Sequence, residues 1–284
     1  MDYDSAALER VAQLFRYEMW KSVVPDAVSE VGIEVQRFGP VQATAFGGEP
    51  QVSSLNQIQG AAEPGAVEGG HLADAIEWMR TREVDYRVPV AESRPGSVEA
   101  EAWLSGHGYE RGGGWTKLVR DAAAPDLPED PDIEVFEMGE EEADGEGLSW
   151  IAREGLGLPI MAETLIFSLP MKDRWRCYTA VLPAEDRVVA TGSTLIHDGV
   201  AQLGIDVTLA GYRGRGCNKA LLRRRLLDAA EAGCHTVFAE LGECDPDDLA
   251  AAAHNLASAG FVEAYRSRNW QRPALRPAAA SLST

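Results

Sequence analysis

The chain has 284 residues, enough for two ordinary domains, and its 45% hydrophobic and 25% charged residues are typical of a globular protein. Its 45 acidic and 26 basic side chains give a formal net charge of −19, which disfavours broad binding to nucleic acid or anionic membranes. Any polyanionic ligand would need a local basic cluster.

No apolar run approaches the roughly 18–20 residues that span a bilayer, and the acidic N-terminus has no signal-peptide pattern, so we expect a cytoplasmic protein. The four cysteines form no CxxC pair and have no histidine spacing typical of zinc, so we expect reduced thiols and no metal.

Periodicity and turn residues predict the elements of the first half. In chain order these are a helix at 5–22, strands at 33–38, 41–46 and 52–59, a helix at 71–82, a strand at 86–90, a helix at 98–106 and a strand at 109–119. Residues 121–131 contain three prolines among small and acidic residues, which predicts an extended linker.

The second half is predicted in the same way. Its elements are a strand at 133–138, helices at 140–154 and 162–168, strands at 177–182, 187–197 and 200–208, a helix ending at 232, a strand at 236–241, a helix at 247–259 and a strand at 261–270. The order of elements resembles that of the first half, and both halves end with Leu, Gly and an aromatic residue in register. We therefore expect a tandem duplication.

A segment rich in glycine and arginine, residues 211–216, joins a predicted strand to a predicted helix. Glycines let successive backbone N–H groups converge, and a helix N-terminus adds positive potential. Six basic side chains fall within thirteen positions: Arg213, Arg215, Lys219, Arg223, Arg224 and Arg225. In an acidic chain this cluster predicts a phosphate-rich ligand. The segment is neither a P-loop nor a GxGxxG fingerprint, because GxxxxGK[ST] is absent and Lys219 stands at the sixth position of the latter.

Residues 213–218, Arg-Gly-Arg-Gly-Cys-Asn, resemble motif A (R-x-x-G-x-G/A) of the Gcn5-related N-acetyltransferase (GNAT) superfamily. The surrounding elements also follow the family's order, and the resemblance covers about residues 132–272. It implies a mixed sheet splayed between its fourth and fifth strands, with acyl-coenzyme A in the splay. The residues that it implies in coenzyme A binding are Thr208, Arg213, Gly214, Arg215, Gly216, Cys217, Asn218, Lys219 and Asn255.

The sequence departs from the family pattern at three positions. Asn218 stands where Gly or Ala is usual, Ala210 replaces the usual loop proline, and Leu256 replaces the tyrosine that often protonates the leaving thiolate. Cys217 lies at a predicted helix N-terminus, where a thiol pKa can fall. Its position in the motif implies a backbone contact and not a nucleophile.

The first half lacks the motif. Residues 60–71 keep their glycines but carry Glu63 and Glu68, which would repel a pyrophosphate. We therefore expect an α+β fold with two GNAT-like domains, each a mixed, mostly antiparallel sheet flanked by helices. Residues 1–120 would form a degenerate domain that covers the catalytic domain or shapes its acceptor pocket. Residues 121–131 would form the linker, 132–273 the acyl-coenzyme A-binding domain, and 274–284 a disordered tail.

The resemblance implies an N-acyltransferase that moves an acetyl or other acyl group from coenzyme A to a primary amine of a small molecule, without a metal. Asp206 and Glu240 are candidate bases, because both are predicted at strand ends that flank the splay, and His254 is a third candidate catalytic residue. Two alternatives remain open. The donor could be the phosphopantetheine arm of an acidic acyl carrier protein, or the chain could be a catalytically silent acyl-coenzyme A sensor, which Leu256 would suit.

Overall fold

The computed structural model describes residues 3–21, 31–139, 141–242 and 246–272, without the side chains of 142–144 and 246–248. The predicted tail at 274–284 lies outside these residues. None of the helices in the described ranges is both long and apolar enough to cross a membrane.

Six α-helices and eleven strands are described. The helices are α1 (Ser5–Lys21), α2 (His71–Arg80), α3 (Ser97–Gly106), α4 (Glu142–Leu156), α5 (Cys217–Glu231) and α6 (Pro246–Ser258). The strands are β1 (Ile33–Phe38), β2 (Val41–Phe46), β3 (Gln57–Gln59), β4 (Val88–Ala91), β5 (Glu110–Asp121), β6 (Glu134–Glu137), β7 (Trp175–Leu182), β8 (Arg187–His197), β9 (Val200–Thr208), β10 (Thr236–Leu241) and β11 (Val262–Gln271).

The strands form two sheets, one of three strands in the order β1-β2-β3 and one of eight in the order β4-β11-β5-β10-β9-β8-β7-β6. Within the described ranges, neighbouring strands pair antiparallel except β9 with β10, and one isolated parallel bridge joins Gln57 to Arg87. The predicted α+β fold, with a mostly antiparallel mixed sheet flanked by helices, is confirmed.

The larger sheet is built by both halves of the chain. Strand β5 belongs to the first half but lies between β10 and β11 of the second, and β11 in turn pairs with β4 of the first. After β5, residues 122–133 run without a helix or strand to β6 at the far edge of the same sheet.

Alternate residues of the central strands face two separate cores, as strand geometry requires. Phe238 and Val119 pack with α1 and α4, whereas Val237 and Leu118 pack with α5. Helices α1 and α5 therefore lie on opposite faces of the larger sheet, and we refer to these faces as the α1 face and the α5 face.

Two predicted elements differ from the structure. The strand predicted at 52–59 is reduced to Gln57–Gln59, because the side chain of Asn56 accepts a hydrogen bond from the Phe46 N–H at 2.6 Å and donates to the Glu49 and Val52 carbonyls. These bonds hold residues 49–56 in turns. The helix predicted at 162–168 is a 3₁₀ segment, Ile160–Leu165, that begins after Pro159.

Candidate functional site

Strands β9 and β10 separate part-way along their length. They pair in parallel from Val200 opposite Thr236 to Leu203 opposite Ala239, after which both continue without pairing to each other. A β-bulge lies where they diverge, because Ile205 and Asp206 stand opposite the single residue Gly192 of β8. Ile205 has a φ of 51°, which turns the strand end away from its neighbour. The resulting gap opens toward the glycine- and arginine-rich segment.

That segment leaves the start of α5 open to a ligand. Gly214 and Gly216 have φ angles of 77° and 88°, and nothing lies within 4 Å of the place where a Cβ would stand on Gly214. Gly216 is the N-cap of α5, and no side chain caps this end. The first N–H groups of a helix have no intrahelical acceptor. Those at residues 217–219 are therefore potential anion donors.

The six members of the basic cluster differ in how far they are exposed to such an anion. Arg213, Arg215 and Lys219 are exposed, whereas Arg225 is buried and Arg224 pairs with Asp228 at 2.9 Å. Arg223 donates to the Leu127 carbonyl of the connecting segment at 3.1 Å. The last three basic residues therefore have partners within the chain, farther along the helix, and binding of a phosphate-rich ligand by the cluster stays a prediction.

Several solved structures share the fold of this chain. A scan against family models and a search of curated proteins give no match. A GCN5-related N-acetyltransferase from Kribbella flavida has 16% identity over 93% of this chain and 95% of its own, with a TM-score of 0.64. One from Sphaerobacter thermophilus has 16% identity over 82% and 78%, with a TM-score of 0.60. A tandem GNAT protein from the clavulanic acid biosynthesis pathway has 17% identity over 81% and 77%, with a TM-score of 0.57.

The chain has the GNAT fold. At these identities the likeness concerns the fold alone. The resemblance drawn from motif A is thereby confirmed at the level of the fold.

The residues around the glycine- and arginine-rich segment fit a diphosphate in part. The open start of α5, the glycine backbone and three exposed cations suit it. Arg213 donates to the Thr208 carbonyl at 3.4 Å and Arg215 forms an ion pair with Glu185 at 2.6 Å, so a diphosphate would compete with these partners. Asp130 also lies close, since a Cβ on Gly216 would be 3.2 Å from its Oδ2. A carboxylate at this place opposes an anionic ligand.

The remaining residues implied by motif A are found near this loop. The Thr208 carbonyl, at the end of β9, accepts from Arg213 Nε at 3.4 Å, and Asn255 of α6 donates to Asn218 Oδ1 at 3.0 Å. Cys217 directs its side chain into a core cluster and not toward solvent. Burial raises the pKa of this thiol, so the lowering that a helix N-terminus can cause does not occur here.

The two candidate bases lie on opposite faces of the sheet. Asp206 forms an ion pair with the buried guanidinium of Arg225, which also donates to the Ser193 carbonyl at 3.2 Å. Asp206 therefore belongs to the α5 face. Glu240 lies on the α1 face, in the first position of β10 beyond its parallel pairing with β9. The structure does not bring them together into one site.

Glu240 belongs to a charged cluster that both halves build. Its cross-strand neighbour on β5 is Lys117, whose Nζ lies 3.2 Å from Glu240 Oε1 and 2.5 Å from Oε1 of Glu9 on α1. Tyr265 of β11 donates to the same Glu9 oxygen at 2.8 Å. The ring of Phe15 covers Gly204 of β9, where a Cβ would come within 2.5 Å of Phe15 Cζ. Helix α1 of the first half therefore covers the gap on this face.

Burial alone would lower the pKa of Lys117, but the Glu9 and Glu240 carboxylates outweigh it and raise the pKa above its ordinary value. Burial raises the pKa of Tyr265, and Glu9 adds to this effect. Lys117 is therefore a buried ammonium ion, and Tyr265 is a neutral hydroxyl donor.

The third candidate, His254, is exposed on α6 and takes part in neither cluster. Next to it, Leu256 is half-buried against the apolar core beneath α5, at the position where tyrosine is common. Sequence reasoning missed Glu9, Lys117, Tyr265 and Asp130. Lys117 could have been noticed, because Trp115 and Val119 flank it on the same face of the predicted strand, and a lysine on a buried face needs a charged partner.

Proposed function

We propose that the chain is an N-acyltransferase that uses acyl-coenzyme A and a primary amine of a small molecule. The proposal depends on one coincidence, namely that the bulged gap between β9 and β10 opens beside the uncapped start of α5. A parallel pair that separates next to a helix N-terminus provides a channel for an extended arm and donors for its anionic end.

In this proposal the chain's own groups have distinct roles. The backbone N–H groups at 214–219, with the Arg213 and Lys219 side chains, hold the diphosphate, and the free edge of β9 near Thr208 holds the pantetheine arm. When bound, acyl-coenzyme A supplies the thioester. Holding amine and thioester together contributes roughly 7–11 kcal/mol to catalysis.

We propose Glu240 as the base, because it is the candidate carboxylate at the gap on the face that α1 covers. As the N–C bond forms and the C–S bond breaks, the amine proton passes to the Glu240 carboxylate and the thiolate leaves. Leu256 cannot donate a proton to the thiolate, so the thiolate leaves unassisted or is protonated by water. Asp206 is held by Arg225 and has a structural role.

Calorimetry with acetyl-coenzyme A tests the binding step. We expect one site per chain, with affinity that falls with salt and falls at least about tenfold in Arg213→Ala/Arg215→Ala, because charge-assisted contacts are lost. The control is Arg80→Ala/Arg266→Ala, which removes the same charge from exposed ion pairs on other elements. Equal affinity in the two double variants would contradict the proposal.

A second candidate function is a silent acyl-coenzyme A sensor. The ion pairs of Asp206 and Glu240, together with the apolar packing of Leu256, favour it. A thiol-release assay with a panel of amines separates the two. Binding without release for every amine supports the sensor, and amine-dependent release supports the enzyme.

A further inference from the structure

A cavity of about 290 Å³, open to solvent, lies where α1, the β1–β2 hairpin and the β8–β9 turn meet. Its polar lining side chains are Arg10, Gln13, Arg37, Gln42 and His197. No aspartate or glutamate is among the described residues that line it, although the chain carries a net charge of −19. The cavity is therefore a positive site in an acidic protein, and both halves contribute to it.

Arg37 is held ready for a ligand by its neighbours. Its Nε donates to Oε1 of Gln42, its cross-strand partner, at 3.3 Å. Gln42 is only 1% exposed and donates in turn to the Gln13 carbonyl at 3.1 Å. The guanidinium also lies 4.5 Å from the centre of the Tyr17 ring. In the described part of the chain no acceptor bonds its two terminal nitrogens, which form the fork that matches a carboxylate or phosphate.

Arg10 and His197 complete the site from two directions. The nearest described carboxylate to Arg10 is that of Asp4 at 3.8 Å, and His197 lies 3.4 Å from Asp198. Both carboxylates are mostly exposed, so solvent screens these pairs and an incoming oxyanion can displace them.

We propose that this cavity binds a small oxyanion, with Arg37 as its main ligand and Arg10 and His197 as supporting donors. The anionic group is a carboxylate or a phosphoryl group, since the arginine fork recognises both. The site is distinct from the start of α5. His197 precedes β9 and Thr208 ends it, and nine strand residues span about 27–30 Å. The proposal does not depend on acyl transfer.

The test is calorimetric titration of the full chain with inorganic phosphate and, separately, with malonate. Arg213→Ala/Arg215→Ala serves as the background, so that the α5 loop does not contribute. We expect millimolar or tighter binding of at least one anion. Adding Arg37→Gln should weaken it at least about tenfold, because a charge-assisted bidentate contact is lost. Binding of one anion only identifies the preferred group.

Arg80→Gln in the same background is the matched control, since Arg80 is exposed and pairs with Glu77 at 2.8 Å on another element. Unchanged melting temperatures establish that all variants remain folded. Absence of binding for both anions would overturn the proposal. An equal loss of affinity in Arg37→Gln and Arg80→Gln would also overturn it, because that result indicates a general charge effect.

Discussion

Replacing Lys117 by methionine tests whether the cluster at the gap joins the two halves. Lys117 is 1% exposed and contacts Glu9 at 2.5 Å and Glu240 at 3.2 Å. Methionine keeps most of the apolar stem, so the main change is that two partly buried carboxylates lose their shared cation. Removing one partner of a buried ion pair typically costs 3–5 kcal/mol. The Glu9 and Glu240 side chains are 17% and 22% exposed, so we expect the lower end, about 3 kcal/mol.

For a chain of this size, 1 kcal/mol corresponds to roughly 2–4 °C in melting temperature, so Lys117→Met should melt about 6–12 °C below wild type. The assay is thermal and urea unfolding, with the exposed Lys172→Met as the control. The double variant Lys117→Met/Glu9→Gln should recover part of the lost stability, because it also removes the Glu9 carboxylate that the single variant leaves without its cation. A Lys117→Met protein that melts within 2 °C of wild type would refute the reasoning.

The pH dependence of this difference follows from the raised pKa of Lys117. A group whose pKa is higher in the folded state contributes fully below its unfolded pKa, here near 10.5, and loses that contribution as pH rises through the folded value. The stability difference between wild type and Lys117→Met should therefore stay constant from neutral pH to about pH 9.5 and shrink only at higher pH.

Three further results are expected. Glu240→Gln should lower turnover by about 10²–10⁴-fold with nearly unchanged coenzyme A affinity. Full turnover in this variant, with chemistry rate-limiting, would exclude Glu240 as the base. Asp206→Asn should mainly lower the melting temperature, because the substitution leaves the Arg225 guanidinium without its carboxylate partner. Asp130→Asn should tighten acetyl-coenzyme A binding, measured by calorimetry, and weaker binding would show that the carboxylate helps to form the loop. The calorimetric stoichiometry for acetyl-coenzyme A should be one per chain, and a value of two would contradict this expectation.

The structure changes the reason for expecting only one coenzyme A site per chain. The sequence suggested that Glu63 repels a pyrophosphate, but its carboxylate is paired with Arg94 at 2.7 Å and both side chains are largely buried. What the first half lacks is basic side chains in residues 60–70, and the ring of His71 lies against Gly39 and Gly69. One binding site per chain therefore remains a prediction that rests on missing positive charge.

Elements specified by local signals could be predicted from the sequence. The bounds of β8, β9 and β10 agree with the sequence pattern, and the turn between β8 and β9 has positive φ at Asp198 and Gly199, as its residues indicate. The helix after the motif could also be predicted. Arg225 belongs to the basic cluster in the sequence, and it also has the helical spacing of the buried Leu221 and Leu222. That spacing already indicated the inward direction in which it contacts Asp206.

The exchange of strands between the halves could not be predicted from the sequence, because strand partners more than a hundred residues apart leave no local pattern. Yet this exchange decides what surrounds Glu240. Strand β5 brings Lys117 beside Glu240, and β11 brings Tyr265 to the other side of Lys117. The first half also sends Glu9 on α1 to the same cation. A truncated second half would therefore lack the strand next to β10 and the two cations Lys117 and Arg16 that interact with Glu240, so the first half is part of the candidate site as well as its cover.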